Sequence, residues 1–551
     1  MKPVEPMTPA GDDTLAKVPA QPGRDAPDGH RASNSFLARA ALLTAVLSAA
    51  GSILGLGRDQ ALAHLFGAGS ETDAFLVAWT VPEVASTLLI EDGLAFMLVP
   101  AFSAAIAARA RTAPGAPDPV RALVAGSLPR LALAFVAASV LLVAAAPQIV
   151  ALLAPGLPDP RLAVDCTRLT ATCALTFGLT GYCSAALRAH SSYLAPAAIY
   201  VAYNTGIIVT LFVLADRWGV RAAAAGVAVG GCLMVLVQAP ALRRRLAVAT
   251  GTGDTGERAP KESGARPMDL ALVATVLLFA LCRQAQVFIE RFLASELPSG
   301  AISHLNYAQK IAQLPMVLSL MLCTVTFPVV AKALARGDTE RARDRVERDI
   351  ALAACIVLLG TAVVFACAPQ IVEVLFQRGA FTAEDTATTA AVMRVYSLGL
   401  LGHCLVGALV RSYFSAGRAT WYPVAAMAAG MVLTAGVGTW AVGAWGVGGI
   451  AAANALGITF TAALLLTAMD RRSIPVRLPL VLRELGKTVL AAVAATGAGL
   501  LSADRFTAPV ASLAAGALAS CAVFCLLLWA LHVRAFAPAV RTATRKLRHA
   551  R

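Results

Sequence analysis

From residue 36 onward the chain alternates long apolar runs with short polar turns. A helix needs roughly 20 apolar residues to cross the hydrocarbon core of a bilayer, and about fourteen runs reach that length. They cover 36–57, 74–105, 124–148, 163–187, 193–215, 219–241, 268–292 and 303–330 in the first part of the chain. The remainder are 347–369, 385–412, 420–441, 446–468, 484–502 and 508–532. Inside lipid each backbone N–H and C=O must find a partner within the protein, so runs of this kind form helices. The pattern predicts an all-α, polytopic membrane protein of about fourteen spans. Residues 1–35 hold no apolar run and are rich in Pro, Gly, Asp and Lys, which predicts a disordered tail without a cleavable signal peptide.

Composition excludes a soluble domain. Hydrophobic residues make up 58% and charged residues 14% of the chain, and the mean hydropathy is +0.71. The net charge of +14 raises the question of nucleic acid, but the placement of the charges answers it. Arg243, Arg244, Arg245, Arg258, Lys261 and Arg266 follow the sixth run. Lys332, Arg336, Arg341, Arg343, Arg345 and Arg348 follow the eighth, and Arg541, Arg545, Lys546, Arg548 and Arg551 follow the last. Loops after odd-numbered runs are sparse in Lys and Arg. By the positive-inside bias, both termini and the even loops are expected on the cytoplasmic side. The basic excess is therefore topology, with some attraction to anionic lipid, and no nucleic-acid partner is expected. The 11 cysteines fall mostly inside apolar runs, without CxxC pairs or a His/Cys cluster of metal spacing.

The string APQIV occurs at 146–150 and again at 368–372, each time ending an odd-numbered run. Asp73 precedes Pro82 by the same interval that separates Asn306 from Pro315, and Val99-Pro100 is matched by Phe327-Pro328. Three features in register predict two parallel six-helix repeats, 36–242 and 268–468, joined by a cytoplasmic linker at 243–267. An additional helix pair at 469–533 and a basic tail at 534–551 complete the expected organisation. Parallel repeats place a substrate site at their interface near the midplane.

Four motifs carry a family resemblance: GLGRDQALAHLFGAGSETDAF from Gly55 to Phe75, PGLP at 155–158, LFQRGAFT at 375–382 and RSYFSAGRATWYP at 411–423. In this order, over residues 36 to 530, the chain resembles the MurJ/MviN family, flippases of lipid-linked peptidoglycan precursor in the bacterial cytoplasmic membrane. The resemblance implies that Arg58 and Asp73 are needed for flipping. It also implies that the last helix pair lines a groove for the lipid tail.

An ionisable group within a span costs at least ~2.5 kcal/mol on insertion scales and so marks a candidate site. The substrate-binding candidates are Arg58, Asp73, Arg283, Lys310, Glu91 and Glu290. The alternative for Arg58 is an interfacial Arg–Asp pair that only pins the turn. Arg283, Gln286 and Glu290 are spaced to share a helix face, lining a central cavity or pairing span seven with a neighbour. The family usually has arginine where Lys310 stands; lysine keeps the charge but loses the planar fork. Family members often carry basic residues where this chain has Ser52, Ser86 and Thr87. Glu83, Thr87 and Glu91 instead fall on one face, with Asp92 beside them. The cavity is thus expected to be less positive than in a standard precursor flippase.

The leading expectation is a flippase for an undecaprenyl-pyrophosphate glycan, with membrane lipids and cell-wall synthesis proteins as further partners. No cofactor is expected. No P-loop is present, so a membrane potential or ion gradient supplies the drive. Glu83, Glu91 and Asp92 keep open a cation-coupled multidrug exporter of the same superfamily. A polyprenyl-phosphate glycosyltransferase has no convincing catalytic constellation here, because His64, His190, His304 and His403 are scattered. A transport-inactive scaffold for cell-wall assembly also stays open.

Overall fold

The computed structural model describes residues 29–91, 93–111, 117–247, 270–319, 338–415 and 420–533. The expected linker from 248 on, the tail 534–551, most of the expected N-terminal tail, Asp92 and Arg418 lie outside the described residues, as do Phe327-Pro328 and the basic residues Arg258, Lys261, Arg266, Lys332 and Arg336. Among the described residues every element is helical and no strand occurs. The order is α1 Gly29–Phe66, α2 Ser70–Ala85, a π-helical segment Ser86–Glu91, α3 Gly93–Arg109, α4 Pro119–Ala144, α5 Ala146–Leu153 and α6 Pro160–Thr170. Then come α7 Cys173–Ala189, α8 Leu194–Trp218, α9 Arg221–Ala247, α10 Leu270–Ala294, α11 Ala301–Ala312 and α12 Thr339–Ala366. The chain continues through α13 Ala368–Phe376, α14 Ala383–Ser397, α15 Leu400–Ser415, α16 Tyr422–Arg472, α17 Leu478–Ala503 and α18 Pro509–Ala530. The first helix begins at Gly29, seven residues inside the stretch expected to be a tail.

Eight of the described helices are long and apolar enough to cross a membrane, or nine if the bent pair Ala383–Ser397 and Leu400–Phe414 forms one span. This is fewer than the fourteen expected, for identifiable reasons. Span four is divided between α6 and α7, and the expected run 303–330 extends beyond the described residues. The 51-residue α16 would be ~77 Å long if straight, far beyond a ~30 Å hydrocarbon core. It turns at Gly446, whose φ of 51° and ψ of −131° suit a residue without Cβ. Its halves then run back along each other. Gly430 approaches the Gly457 carbonyl, and Gly449 approaches that of Ala441, as small residues permit in lipid. The expected runs 420–441 and 446–468 are these two halves.

Helices α1 to α9 pack chiefly among themselves, with α8 against α9 and α1, α7 against α9, and α2 against α6. Among the later helices α17 packs on α18 and α12, and α16 on α15 and α10. The two sets meet where α2 touches α10 and α11, and where α1 touches α13. Both copies of APQIV open a short helix, α5 and α13, after a break at Ala145 or Cys367. Proline at the first or second helical position suits such a restart, since its missing N–H would have no partner there.

Candidate functional site

Where the two sets of helices meet, α1, α2, the π segment, α7, α8, α10 and α11 line an open cavity of about 600 Å³. Its shape follows from α2. Pro82 has no N–H to offer the Ala78 carbonyl; the Thr170 hydroxyl donates to that oxygen at 3.1 Å instead. One turn further the helix widens into the π segment, where Gly181 of α7 lets the Leu89 carbonyl come close. Such insertions recur at functional sites because they re-aim side chains. Here Glu83, Ser86, Thr87 and Glu91 all line the cavity.

One end of the cavity is cationic. Arg58 of α1 donates from Nε and Nη2 to Asp59 Oδ1 at 3.0 and 2.7 Å. Its Nη1 reaches Asn204 Oδ1 of α8 at 3.3 Å. Lys310 Nζ lies 3.2 Å from Asp59 Oδ2. Both cations sit over the Trp79 ring, at 4.1 Å for the guanidinium and 5.6 Å for the ammonium, a favourable geometry for the ring quadrupole. The buried Asp59 is thus shared by two cations, which leaves the triad with one net positive charge. Arg283 of α10 is exposed to the same cavity and makes no ion pair with a described residue.

The other end carries carboxylate. Glu91 Oε1 accepts from the Tyr200 hydroxyl at 3.2 Å and from Ser86 Oγ at 3.4 Å. Thr87 Oγ1 receives Gln284 Nε2 at 3.4 Å. The carbon walls are Trp79, Phe177, Tyr200 and Tyr203.

Four of the six expected site residues therefore meet in one cavity: Arg58, Arg283, Lys310 and Glu91. Asp73 and Glu290 are elsewhere. The Asp73 carboxylate is buried against the start of α11, accepting from Gly300 N at 2.7 Å, Ser303 N at 2.8 Å and Ser303 Oγ at 2.5 Å. It caps a helix whose first N–H groups would otherwise lack partners. Glu290 points away from the cavity into the later helices, where it accepts from Asn454 Nδ2 and, at 3.3 Å, from Gln286 Nε2. Its neighbour Arg291 bonds the Ile302 carbonyl and Asn306 Oδ1, each at 3.3 Å. The expected face of Arg283, Gln286 and Glu290 is thus split: Arg283 and Gln284 turn to the cavity, Gln286 and Glu290 to the α14 and α16 side.

Sequence reasoning missed Trp79, Asn204, Tyr200 and Tyr203. Tyr200, Tyr203 and Asn204 fall on one face of α8 by their spacing, a signal visible in the sequence. Among the described residues the Arg378 side chain bonds its own helix end, Nη2 to the Val374 carbonyl at 3.1 Å. Gly379, with φ of 64°, lets the LFQRGAFT turn sit against His64, which makes that motif the structural corner its glycine suggests. A smaller cleft of about 340 Å³ between α12 and α17 is bridged by Arg477, which donates from N and Nε to Glu347 at 2.7 and 3.1 Å. That arrangement is a staple between helices.

An all-helical bundle with a charged cavity between two sets of spans is the architecture of a membrane transporter. The chain belongs to the lipid II flippase MurJ family, whose model matches residues 62–518. It is 28% identical over 386 residues to the lipid II flippase MurJ of Burkholderia cenocepacia, covering 69% of this chain and 73% of that one. The fold is similar to a solved lipid II flippase MurJ in an inward closed conformation, with a TM-score of 0.69, 18% identity and coverage of 89% and 99%. It is also similar to an inward-facing multidrug resistance MATE family transporter of the MOP superfamily, with a TM-score of 0.61, 15% identity and coverage of 80% and 99%.

Proposed function

We propose that this protein translocates a lipid-linked peptidoglycan precursor, lipid II or a similar undecaprenyl-pyrophosphate glycan, across the bacterial cytoplasmic membrane by alternating access. The observation that carries the reading is the Arg58–Asp59–Lys310 triad beneath Trp79, with Arg283 in the same cavity. A net cationic patch in a low-dielectric cavity suits the charged headgroup of a lipid pyrophosphate and needs no covalent chemistry. In this reading the protein is a transporter without enzymatic activity, driven by membrane potential or an ion gradient, at ~2.3 kcal/mol per charge per 100 mV. Both termini and the 243–267 linker lie in the cytoplasm, the two six-span lobes rock about the cavity, and the α17–α18 pair accommodates the lipid tail. Cell-wall synthesis proteins are its natural neighbours.

Complementation tests the reading directly. Cells depleted of their own flippase should survive on this gene, and purified protein in vesicles should flip a fluorescent lipid-linked precursor. Failure of both, with protein present in the membrane, rejects it. Glu83 and Glu91 in the cavity favour one second reading, a cation-coupled exporter. That reading demands transport of a lipophilic cation that Glu91→Gln abolishes. Labelling of a cysteine in the 243–267 linker in intact cells would overturn the orientation.

A further inference from the structure

Taken as a whole the cavity is electrically balanced. Arg58, Lys310 and Arg283 are its cations, and Asp59, Glu83 and Glu91 its carboxylates. A headgroup bearing only pyrophosphate would leave this space strongly negative. The balance is also spatially ordered. Asn204 holds Arg58 at one level of α8, while Tyr200, one turn earlier and ~6 Å along the axis, holds Glu91 at the next. Arg58 and the Glu91 carboxylate therefore occupy successive levels of a single cavity.

Glu91 is fixed rather than neutralised. Both of its donors, Tyr200 and Ser86, are uncharged and reach the same oxygen, Oε1, and these two hydroxyls lie 3.3 Å from each other. Oε2 has no partner among the described residues. Glu91 forms no ion pair among them either, and neither does Glu83, although Glu83 acts electrostatically on Lys310 and Arg291. Arg188, at the end of α7, acts on Tyr200 without pairing to Glu91. A carboxylate oriented by two hydroxyls, with one oxygen open to a cavity, is an acceptor for a charged donor.

From this geometry we infer that the cavity selects a dipolar headgroup, with pyrophosphate at Arg58 and Lys310 and a primary ammonium received by Glu91. The substrate class is a lipid-linked glycan whose headgroup also carries a free amine, as on an amine-bearing peptide substituent. This inference rests on the flippase reading and narrows it. Tyr200 and Ser86 act as positioning residues.

The test uses the full-length protein in vesicles with two fluorescent lipid-linked disaccharide-peptide pyrophosphates, identical except that one has its peptide amine N-acetylated. Wild type should flip the free-amine precursor at least about tenfold faster, the factor a charge-assisted hydrogen bond supplies. Glu91→Gln, which keeps the side chain's shape, should bring the ratio of the free-amine rate to the acetylated rate down to about one. Tyr200→Phe should reduce the preference while both precursors still move. Equal rates for the two precursors in wild type overturn the inference and leave the flippase reading standing. Transport of neither precursor overturns both. A Glu91→Gln variant that slows both precursors alike also overturns it, since that marks a general role.

Discussion

Lys310→Ala is the most informative single change in the cavity. Wild type holds Asp59 between Arg58 and Lys310, so the triad presents one net positive charge beneath Trp79. Without Lys310 the remaining Arg58–Asp59 pair is neutral, and only Arg283 faces a pyrophosphate. Loss of one partner of a buried charged contact typically costs ~2–5 kcal/mol. The lower limit corresponds to about thirtyfold in binding, at ~1.4 kcal/mol per decade. Flipping of a fluorescent precursor in vesicles should fall by at least that factor. Lys310→Arg should preserve or raise the rate, because the planar fork grips phosphate bidentately. Asp59→Asn placed in the Lys310→Ala background should recover part of the loss, since it frees Arg58 and restores the net charge. Contacting residues are expected to behave non-additively in this way. Flipping by Lys310→Ala at the wild-type rate would refute the cavity assignment. A double variant worse than Lys310→Ala alone would refute the charge argument while sparing the site.

Asp73→Ala should lower stability by ~1–3 kcal/mol, the usual result of stripping acceptors from buried donors, and abolish transport with protein still in the membrane; an unchanged melting temperature would contradict the capping role. Gly446→Ala should cost ~1–3 kcal/mol through backbone strain alone, because a Cβ there meets open space; thermal unfolding in detergent reads it. Asp118, in the turn before α4, accepts from Arg109 Nε at 2.8 Å and from Val120 N at 2.9 Å, and the Arg109 hydrogen bond holds its carboxyl below the usual range. A depressed pKa stabilises above the unfolded value of ~3.9 and loses that contribution as pH falls through the folded one. Wild type should therefore melt above Asp118→Asn near neutral pH, with the gap closing as pH falls below the unfolded value and through the folded one; a constant gap would point to packing.

Much of the fold is legible in the chain because lipid leaves few choices. Apolar runs must be helices, and Gly446 is the residue at which the second of two adjacent expected spans begins. The APQIV strings mark helix restarts for the reason visible in their proline. The π segment Ser86–Glu91 has no such signal: its widening depends on Gly181 of another helix admitting the Leu89 carbonyl. The site divides along the same line. Lys310, Arg283 and Glu91 are found by asking which charges lie inside spans, and Arg58 through the motif it shares with Asp73. Periodicity relates residues on one helix but not the angle at which that helix meets two neighbours at once. For that reason Gln286 and Glu290 were expected with Arg283 and instead face Asn454 and Tyr396. Asp73 shares a motif with Arg58, yet the turn between them carries it to α11.

That separation of Arg58 from Asp73 gives the shared motif a coherent physical role. Residues just beyond Arg58 on α1 touch the later helices: Gln60 Nε2 donates to the Leu375 carbonyl at 2.9 Å, and Ala380 N donates to the His64 carbonyl at 2.9 Å. Asp73 joins α2 to α11 at the same end, and Tyr307 stacks near Phe376 and Phe381 beside it. Apart from the Asp73 carboxylate these are neutral contacts between turns, each worth ~0.5–1.5 kcal/mol net. A closure assembled from several such bonds can be exchanged for water without stranding a buried charge. The triad lies directly inside it and shares α1 and α11 with it. In the proposed function, a phosphate bound at Lys310 and Arg58 would alter the charge on the same two helices that carry these contacts. In the proposed alternating-access cycle this would couple the headgroup's arrival to the contacts that must part, through two helices and without a longer relay.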